Sequence, residues 1–309
     1  MPQYHIDHPQ LQKIFKKYEL GSLVSVKEIA TGLINPVYLL NDSLILRIDL
    51  EKDNNVTKFQ RESVLYELLP KFHIPTPRLI AIDTSKELLD SPYMLMNFIP
   101  GESLRESFHK LSDQEQKDVS FQLGYLAKQI HSIKPEDIGH EDLFKNIGAW
   151  AKWTMADFEE QWQVVADAGY LNEEEMNSVT ALYEMYKKLD LSHFGRLTHG
   201  DFSSGNIQVI SGKVVGVFDF EFTFMADPLW DLQKLPIAFQ LGDGFDKKEF
   251  LRGYGHGDFT EEEQVRLKMY CYIQGVWEIW ATITQHMQFG QGQIREGVEL
   301  IQNTMKMDI

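Results

Sequence analysis

Residues 207–218 carry two short apolar runs around Ser211-Gly212, the pattern of a β-hairpin. A hairpin brings its two ends together, so Asn206 just before it and Asp219 just after it must be neighbours whatever the rest of the chain does. Upstream runs Thr198-His199-Gly200-Asp201-Phe202-Ser203-Ser204-Gly205-Asn206, a loop of small residues in which Asp201 and Asn206 need a reason other than packing. Two hard oxygen ligands side by side, with a third carboxylate five residues upstream, suit Mg²⁺. That ion takes one or two carboxylates and completes its shell with phosphate oxygens and water. The spacing therefore points to a nucleotide.

The rest of the chain divides into two regions. Residues 23–30, 37–40 and 44–48 read as short β-rich runs separated by the turn residues of 31–36 and 41–43, an antiparallel meander. A helix follows, with Val56, Phe59, Tyr66 and Leu69 on one face. Glu62 lies three residues after Phe59 and four before Tyr66, so it shares the buried side, where a carboxylate is costly unless a cation meets it. Beyond Ile74-Pro75-Thr76-Pro77 come two more β-like runs, 78–82 and 93–99, ending at Pro100-Gly101. The expected division lies there, with residues 1–100 as one lobe and residues 101–309, mainly helical apart from the hairpin, as the other. No repeat, low-complexity tract or long linker interrupts the chain.

The string His-Gly-Asp-x4-Asn, a hairpin and a hydrophobic strand ending in Asp219 resembles the aminoglycoside phosphotransferase family, small-molecule kinases with a protein-kinase-like fold. Further pieces match in order. Gly32 and Asn35 stand at the nucleotide-loop position, Arg47 at the third-strand cation position and Arg61-Glu62 on the next helix. Asn97-Phe98-Ile99 falls where the family has its hinge, and His131, Asp227-Pro228 and Asp231-Leu232 fit as well. The resemblance implies an α+β bilobal fold, an antiparallel-sheet N-lobe with one helix and a mainly helical C-lobe. It implies that Asp201 accepts or orients the proton of a substrate hydroxyl and that Asn206 and Asp219 hold Mg²⁺. Gly32, Asn35, Arg47, Glu62, Asn97, Phe98 and Ile99 would serve the nucleotide, ATP or GTP, with Glu62 pairing Arg47. His199 and Asp231 would brace the loop. Two departures stand out: Arg47 replaces the commoner Lys, and Glu221 stands where protein kinases have the Gly of Asp-Phe-Gly, which places it near the metal. No Walker string or G-x-G-x-x-G occurs anywhere in the sequence.

Composition narrows the acceptor. Thirty Lys and Arg against 46 Asp and Glu give a net charge of −16, which disfavours nucleic acid and anionic membrane surfaces and favours a cationic small molecule such as an aminoglycoside. Kinases of macrolides, homoserine, choline or sugars share the loop, and a non-catalytic nucleotide-binding sensor of the same fold is the competing class. The single cysteine, Cys271, excludes an internal disulfide and reads as a core residue. With no run of apolar residues long enough to cross a bilayer and no basic start followed by an apolar run, the expected location is cytoplasmic. Trp150 with Trp153 and Trp277 with Trp280, each pair three residues apart, fit either helix packing or a substrate wall. Glu173-Glu174-Glu175 reads most simply as the first turn of a helix after Asn172.

Overall fold

The computed structural model describes residues 6–31, 36–50, 56–140, 143–144, 146–284 and 291–307. Gly32 and Asn35, the expected nucleotide-loop residues, lie outside them.

Helix α1 (His8–Lys17) opens the chain, and strands β1 (Val26–Thr31), β2 (Pro36–Leu40) and β3 (Leu44–Ile48) form the expected meander. Helix α2 (Val56–Leu68) and strands β4 (Leu79–Asp83) and β5 (Tyr93–Asn97) complete the first region. The five strands make one antiparallel sheet in the order β1-β2-β3-β5-β4. Side-chain alternation along the central strands shows why it is covered on both faces. Leu46, Ile48, Tyr93 and Leu95 pack on one side with Leu11, Ile14 and Phe15 of α1. Ile45, Met94 and Met96 turn to the other side with Phe59, Leu65 and Tyr66 of α2. Where one helix was expected in this lobe, the structure has two. α1 is held by a capping box between Asp7 and Gln10, and its apolar residues at spacings of three and one supply the second cover.

The second region adds β6 (Glu102–Ser103), α3 (Leu104–Ser107), α4 (Asp113–His131), α5 (Pro135–Ile138), α6 (Ile147–Asp167) and α7 (Glu173–Tyr186). Strand β7 (Arg196–Thr198), the hairpin β8 (Ile207–Ile210) and β9 (Lys213–Val217), and β10 (Phe224–Ala226) follow. Helices α8 (Lys247–Tyr254), α9 (Glu261–Ile283) and α10 (Gln291–Met305) close it. Leu123, Leu126, Ala127 and Ile130 of α4 are buried in one large core with Trp150, whose ring meets Trp230 and Tyr270 edge-on. Packing therefore accounts for Trp150. Cys271 is buried on α9, and Asn172 caps α7 with Glu175 in a capping box. Gly124 of α4 faces the backbone of Phe250 so closely that a Cβ would lie 1.9 Å from its carbonyl oxygen, which is how α4 and α8 approach at backbone contact. Among the described residues no helix is long and apolar enough to cross a membrane.

Candidate active site

Short strand β7 delivers the loop that begins at His199, and a buried carboxylate holds that loop from behind. Asp231, in the 3-10 turn Pro228–Leu232, accepts from the backbone N–H of His199 at 2.7 Å and of Gly200 at 2.9 Å. His131 of α4 bonds the same carboxylate at 2.9 Å and is itself bonded to Tyr254 at 2.8 Å. Both oxygens are thus committed, as a buried carboxylate requires. Gly200 has φ +86°, and a Cβ there would meet the carbonyl oxygen of Phe222 at 2.0 Å, so this position needs glycine on both counts. The His199 ring accepts the N–H of Asp201 at Nδ1, 3.3 Å, which leaves Nε2 to donate to the carbonyl of Phe218 at 2.7 Å. His199 therefore ties the start of the loop to the end of the hairpin.

The hairpin does what its sequence requires. Ile207 pairs with Val217, and the N–H of Phe218 donates to the carbonyl of Asn206 at 3.0 Å. Asn206 turns its Nδ2 to the carbonyl oxygen of Asp201 at 3.0 Å and to Asp201 Oδ2 at 2.9 Å. That commits the amide nitrogen and leaves the amide oxygen as the group able to face a cation. Asp219 sits at φ 67°, ψ 58°, a left-handed conformation that Asp tolerates better than most residues. Its N–H is 3.4 Å from the hydroxyl of Tyr66. Its Oδ1 is buried without a hydrogen bond, while the side chain as a whole is 37% exposed. That oxygen is paired with Arg47 at 3.3 Å, so the exposed part of the carboxylate is what a cation could reach, and a carboxylate with an amide oxygen suits Mg²⁺ when phosphate and water complete the shell. Among the described residues no group of three His, Cys, Asp or Glu side chains is placed to hold a metal ion by itself.

Across from this loop, Arg47 of β3 meets three carboxylates. Its Nη1 lies 3.0 Å from both oxygens of Glu62 and 3.3 Å from Asp219 Oδ1, and its Nη2 donates to Glu221 at 2.8 Å. Burial alone would lower the guanidinium, but Glu62, Asp219 and Glu221 together hold it well above its ordinary value. Burial pushes the Glu62 carboxyl up against the opposing pull of Arg47. Arg61 adds a bond to the backbone carbonyl of Glu221 at 3.1 Å, and Tyr66 meets Phe220 edge-on, so α2 is fastened to the segment after the hairpin. The N–H of Val217 also donates to Pro75 at 2.8 Å.

The residues expected at the hinge, Asn97, Phe98 and Ile99, begin at the last residue of β5. Phe98 donates its N–H to Ser43 at 2.8 Å and its carbonyl accepts from the Asn97 amide at 3.1 Å, while Asn97 Oδ1 takes the N–H of Arg78. Both backbone groups of Phe98 are therefore engaged within the lobe. Ile99 lies over Gly216 of β9, where a Cβ would come within 3.1 Å of its Cδ1 and 2.8 Å of Phe218 Cζ. The missing side chain leaves room for those two apolar groups to lie together.

Sequence reasoning missed Lys234, whose ammonium stands 3.2 Å from Asp201 Oδ1. Burial works against ionisation of Asp201, but Lys234, His199 and Asn206 together more than offset it and hold the carboxyl below its ordinary range. Its sequence signal is slight: a Lys three residues after Asp231, on a turn that already faces the loop.

A family model described as the phosphotransferase enzyme family matches residues 25–267, well over half of the chain. The chain belongs to this family. It is a small-molecule kinase with a protein-kinase-like bilobal fold. A homoserine kinase of Methylobacillus flagellatus is 22% identical over 236 residues, 74% of this chain and 67% of the relative. Among solved structures, the GDP and kanamycin complex of APH(2")-IIIa aligns with TM-score 0.74 and 16% identity, covering 98% of this chain and 100% of that one. The ternary complex of streptomycin, ATP and APH(2")-IIa aligns with TM-score 0.65 and 19% identity, covering 96% and 99%. At these identities the structural likeness speaks to the fold.

Proposed function

We propose that this kinase transfers the γ-phosphoryl group of ATP or GTP to a hydroxyl of an aminoglycoside-type small molecule, with Asp201 as base. The observation that carries this reading is the hydrogen bond of Asn206 to Asp201 Oδ2 at 2.9 Å, made from the hairpin end that also abuts Asp219. In this reading it keeps the proton acceptor beside the metal ligands, as in-line transfer requires. Residues 1–100 form the nucleotide lobe in this reading, and 101–309 the catalytic and acceptor lobe.

The acceptor hydroxyl donates to the Asp201 carboxylate as its oxygen forms a bond to the γ-phosphorus. The bond from that phosphorus to the β,γ-bridging oxygen breaks, its electron pair leaves with the nucleoside diphosphate, and the hydroxyl proton passes to Asp201. Asn206 and Asp219 would hold Mg²⁺, which when bound neutralises phosphate charge. Arg47, positioned by Glu62, faces the phosphates, and Ile99 with Phe218 offers an apolar surface to the base. Catalysis here is positioning and charge compensation more than covalent chemistry.

The complexes with kanamycin and streptomycin belong to the structural neighbours, and they support an aminoglycoside-type acceptor. So does the net charge of −16. A second reading, a kinase of a smaller alcohol, is favoured by the homoserine kinase relative and by the cation at Asp201. A panel of kanamycin-like and gentamicin-like aminoglycosides, a macrolide, choline and homoserine, each with Mg-ATP and Mg-GTP, separates the two. A phosphorylated aminoglycoside by intact mass is expected, with KM rising as salt screens the attraction. Turnover confined to an uncharged or zwitterionic acceptor supports the second reading instead.

A further inference from the structure

We propose that Lys234 is a positioning residue for phosphoryl transfer: its ammonium holds the Asp201 carboxylate facing the acceptor hydroxyl, from the same turn that grips the loop backbone. This rests on the kinase reading above and adds a residue outside the motifs read from the sequence.

Rotation about the last torsion of an aspartate is broad and only weakly preferred, so an unheld carboxylate swings. In Asp201 both oxygens are held, Oδ2 by Asn206 at 2.9 Å and Oδ1 by Lys234 at 3.2 Å. Turning the carboxylate breaks one contact or the other. Each oxygen keeps a further lone pair, so the grip leaves room for a hydroxyl donor. Asp201 is 38% exposed while the Lys234 side chain is only 14% exposed, so the lysine approaches from the protein side and leaves the open side to the acceptor.

The anchoring of Lys234 is unusually firm for a lysine. Three residues earlier, Asp231 takes the N–H groups of His199 and Gly200, so one turn of chain holds the loop backbone and the reacting side chain together. The carbonyl of Lys234 accepts from Ile237 at 3.3 Å and from Phe239 at 2.9 Å. That turn places Ala238, Phe239 and Gln240 at φ of 51°, 50° and 62°. Left-handed backbone at three successive non-glycine residues is unfavourable and persists only where the surroundings impose it. Here Phe239 is buried, its ring 5.9 Å from that of Phe202 and also against Phe245 and Phe250. Phe202 is the residue after Asp201, so the strained turn, the lysine and the catalytic loop pack as one body.

A purely stabilising role explains this poorly, because an ion pair with so exposed a partner contributes little to stability. Among the described residues, charged groups that interact with Lys234 include Asp201 on the loop and the buried Glu278 on α9, and Glu296 of α10 is bonded to Gln240 at the end of the turn. The ammonium thus adds one positive charge at the point where the acceptor meets the transferring phosphoryl group. Arg47 is placed elsewhere, against Glu62, Asp219 and Glu221 on the nucleotide side.

The test uses the full chain and the acceptor identified above. Lys234→Met should lower kcat about 100-fold while Mg-nucleotide Kd and nucleotide KM stay within about threefold of wild type. Lys234→Cys treated with bromoethylamine regains an ammonium at the same reach, and kcat should recover; the neutral iodoacetamide adduct should not recover. Cys271 does not compete, being buried with its thiol pushed up to about 12. Should Lys234→Met fail to fold, the two adducts of Lys234→Cys, compared with each other, carry the test. Unchanged or raised kcat in Lys234→Met, or equal rescue by both adducts, overturns the assignment of Lys234 alone. A wild-type chain that phosphorylates no acceptor overturns the kinase reading, and this inference with it.

Discussion

The N–H of Phe218 donates to the carbonyl of Asn206 at 3.0 Å, so the chain that leaves the 199–206 loop at Asn206 returns to it one residue before Asp219. The proposed Mg²⁺ ligands are therefore set by a backbone bond across a twelve-residue hairpin segment, 207–218, and not by loop flexibility.

Asp219→Asn tests that placement. Asn keeps the shape and tolerates the left-handed backbone but removes the charge. Mg-dependent nucleotide affinity, read by calorimetry, should weaken by more than about 10-fold, ligands being worth at least what their supporting partners are. Unchanged affinity would assign Asp219 to structure.

Arg47→Ala should destabilise the fold by about 3–5 kcal/mol, because it leaves the fully buried Glu62 without its cation. Arg47→Lys should cost less but still impair function, since one ammonium cannot span Glu62 and Glu221 as the planar fork does. Arg47→Met combined with Glu62→Leu should recover stability in denaturant titration without recovering nucleotide binding. Recovery of both would make the pair a packing feature.

Asp231→Ala removes the acceptor of two backbone N–H groups and of His131 in a buried site. A loss of about 3 kcal/mol or more is expected, together with lost turnover even where the variant is folded. Amide exchange at His199 and Gly200 reports it directly; protection equal to wild type at those two amides would contradict the bracing role.

How much of this was legible in the sequence depended on whether the partner was near along the chain. The hairpin was legible because Ser211-Gly212 is local, and the need of Glu62 for a cation because its helix face could be counted from Phe59 and Tyr66. The cover supplied by α1 was written in Asp7, Gln10, Leu11, Ile14 and Phe15, yet a polar terminus containing His8 masks so short a pattern. Strands β7 and β10 have three residues each, too few for a period of two to show. Lys234 was out of reach: its partner lies 33 residues away, and only the strained turn behind it decides where its ammonium goes.

The first lobe should show its own acid sensitivity. Burial opposes ionisation of Asp83, but Lys17, Ser85 and Tyr93 hold the carboxyl well below its ordinary value. A depressed folded-state value stabilises the fold above the unfolded value, about 3.9, and is lost as pH falls below it. Thermal melts should show Asp83→Asn less stable than wild type at neutral pH, with the gap narrowing below about pH 4. A gap that stays constant or widens on acidification would contradict this.

Asp201 facing the acceptor is the central claim, and a single-turnover rapid-quench experiment on Asp201→Asn tests it most directly. With saturating Mg-nucleotide and acceptor, the variant should transfer phosphate at least about 100-fold more slowly than wild type, with nucleotide affinity retained. A variant that keeps more than about a tenth of the wild-type rate, well inside the loss expected for a base, would show that the proton goes elsewhere.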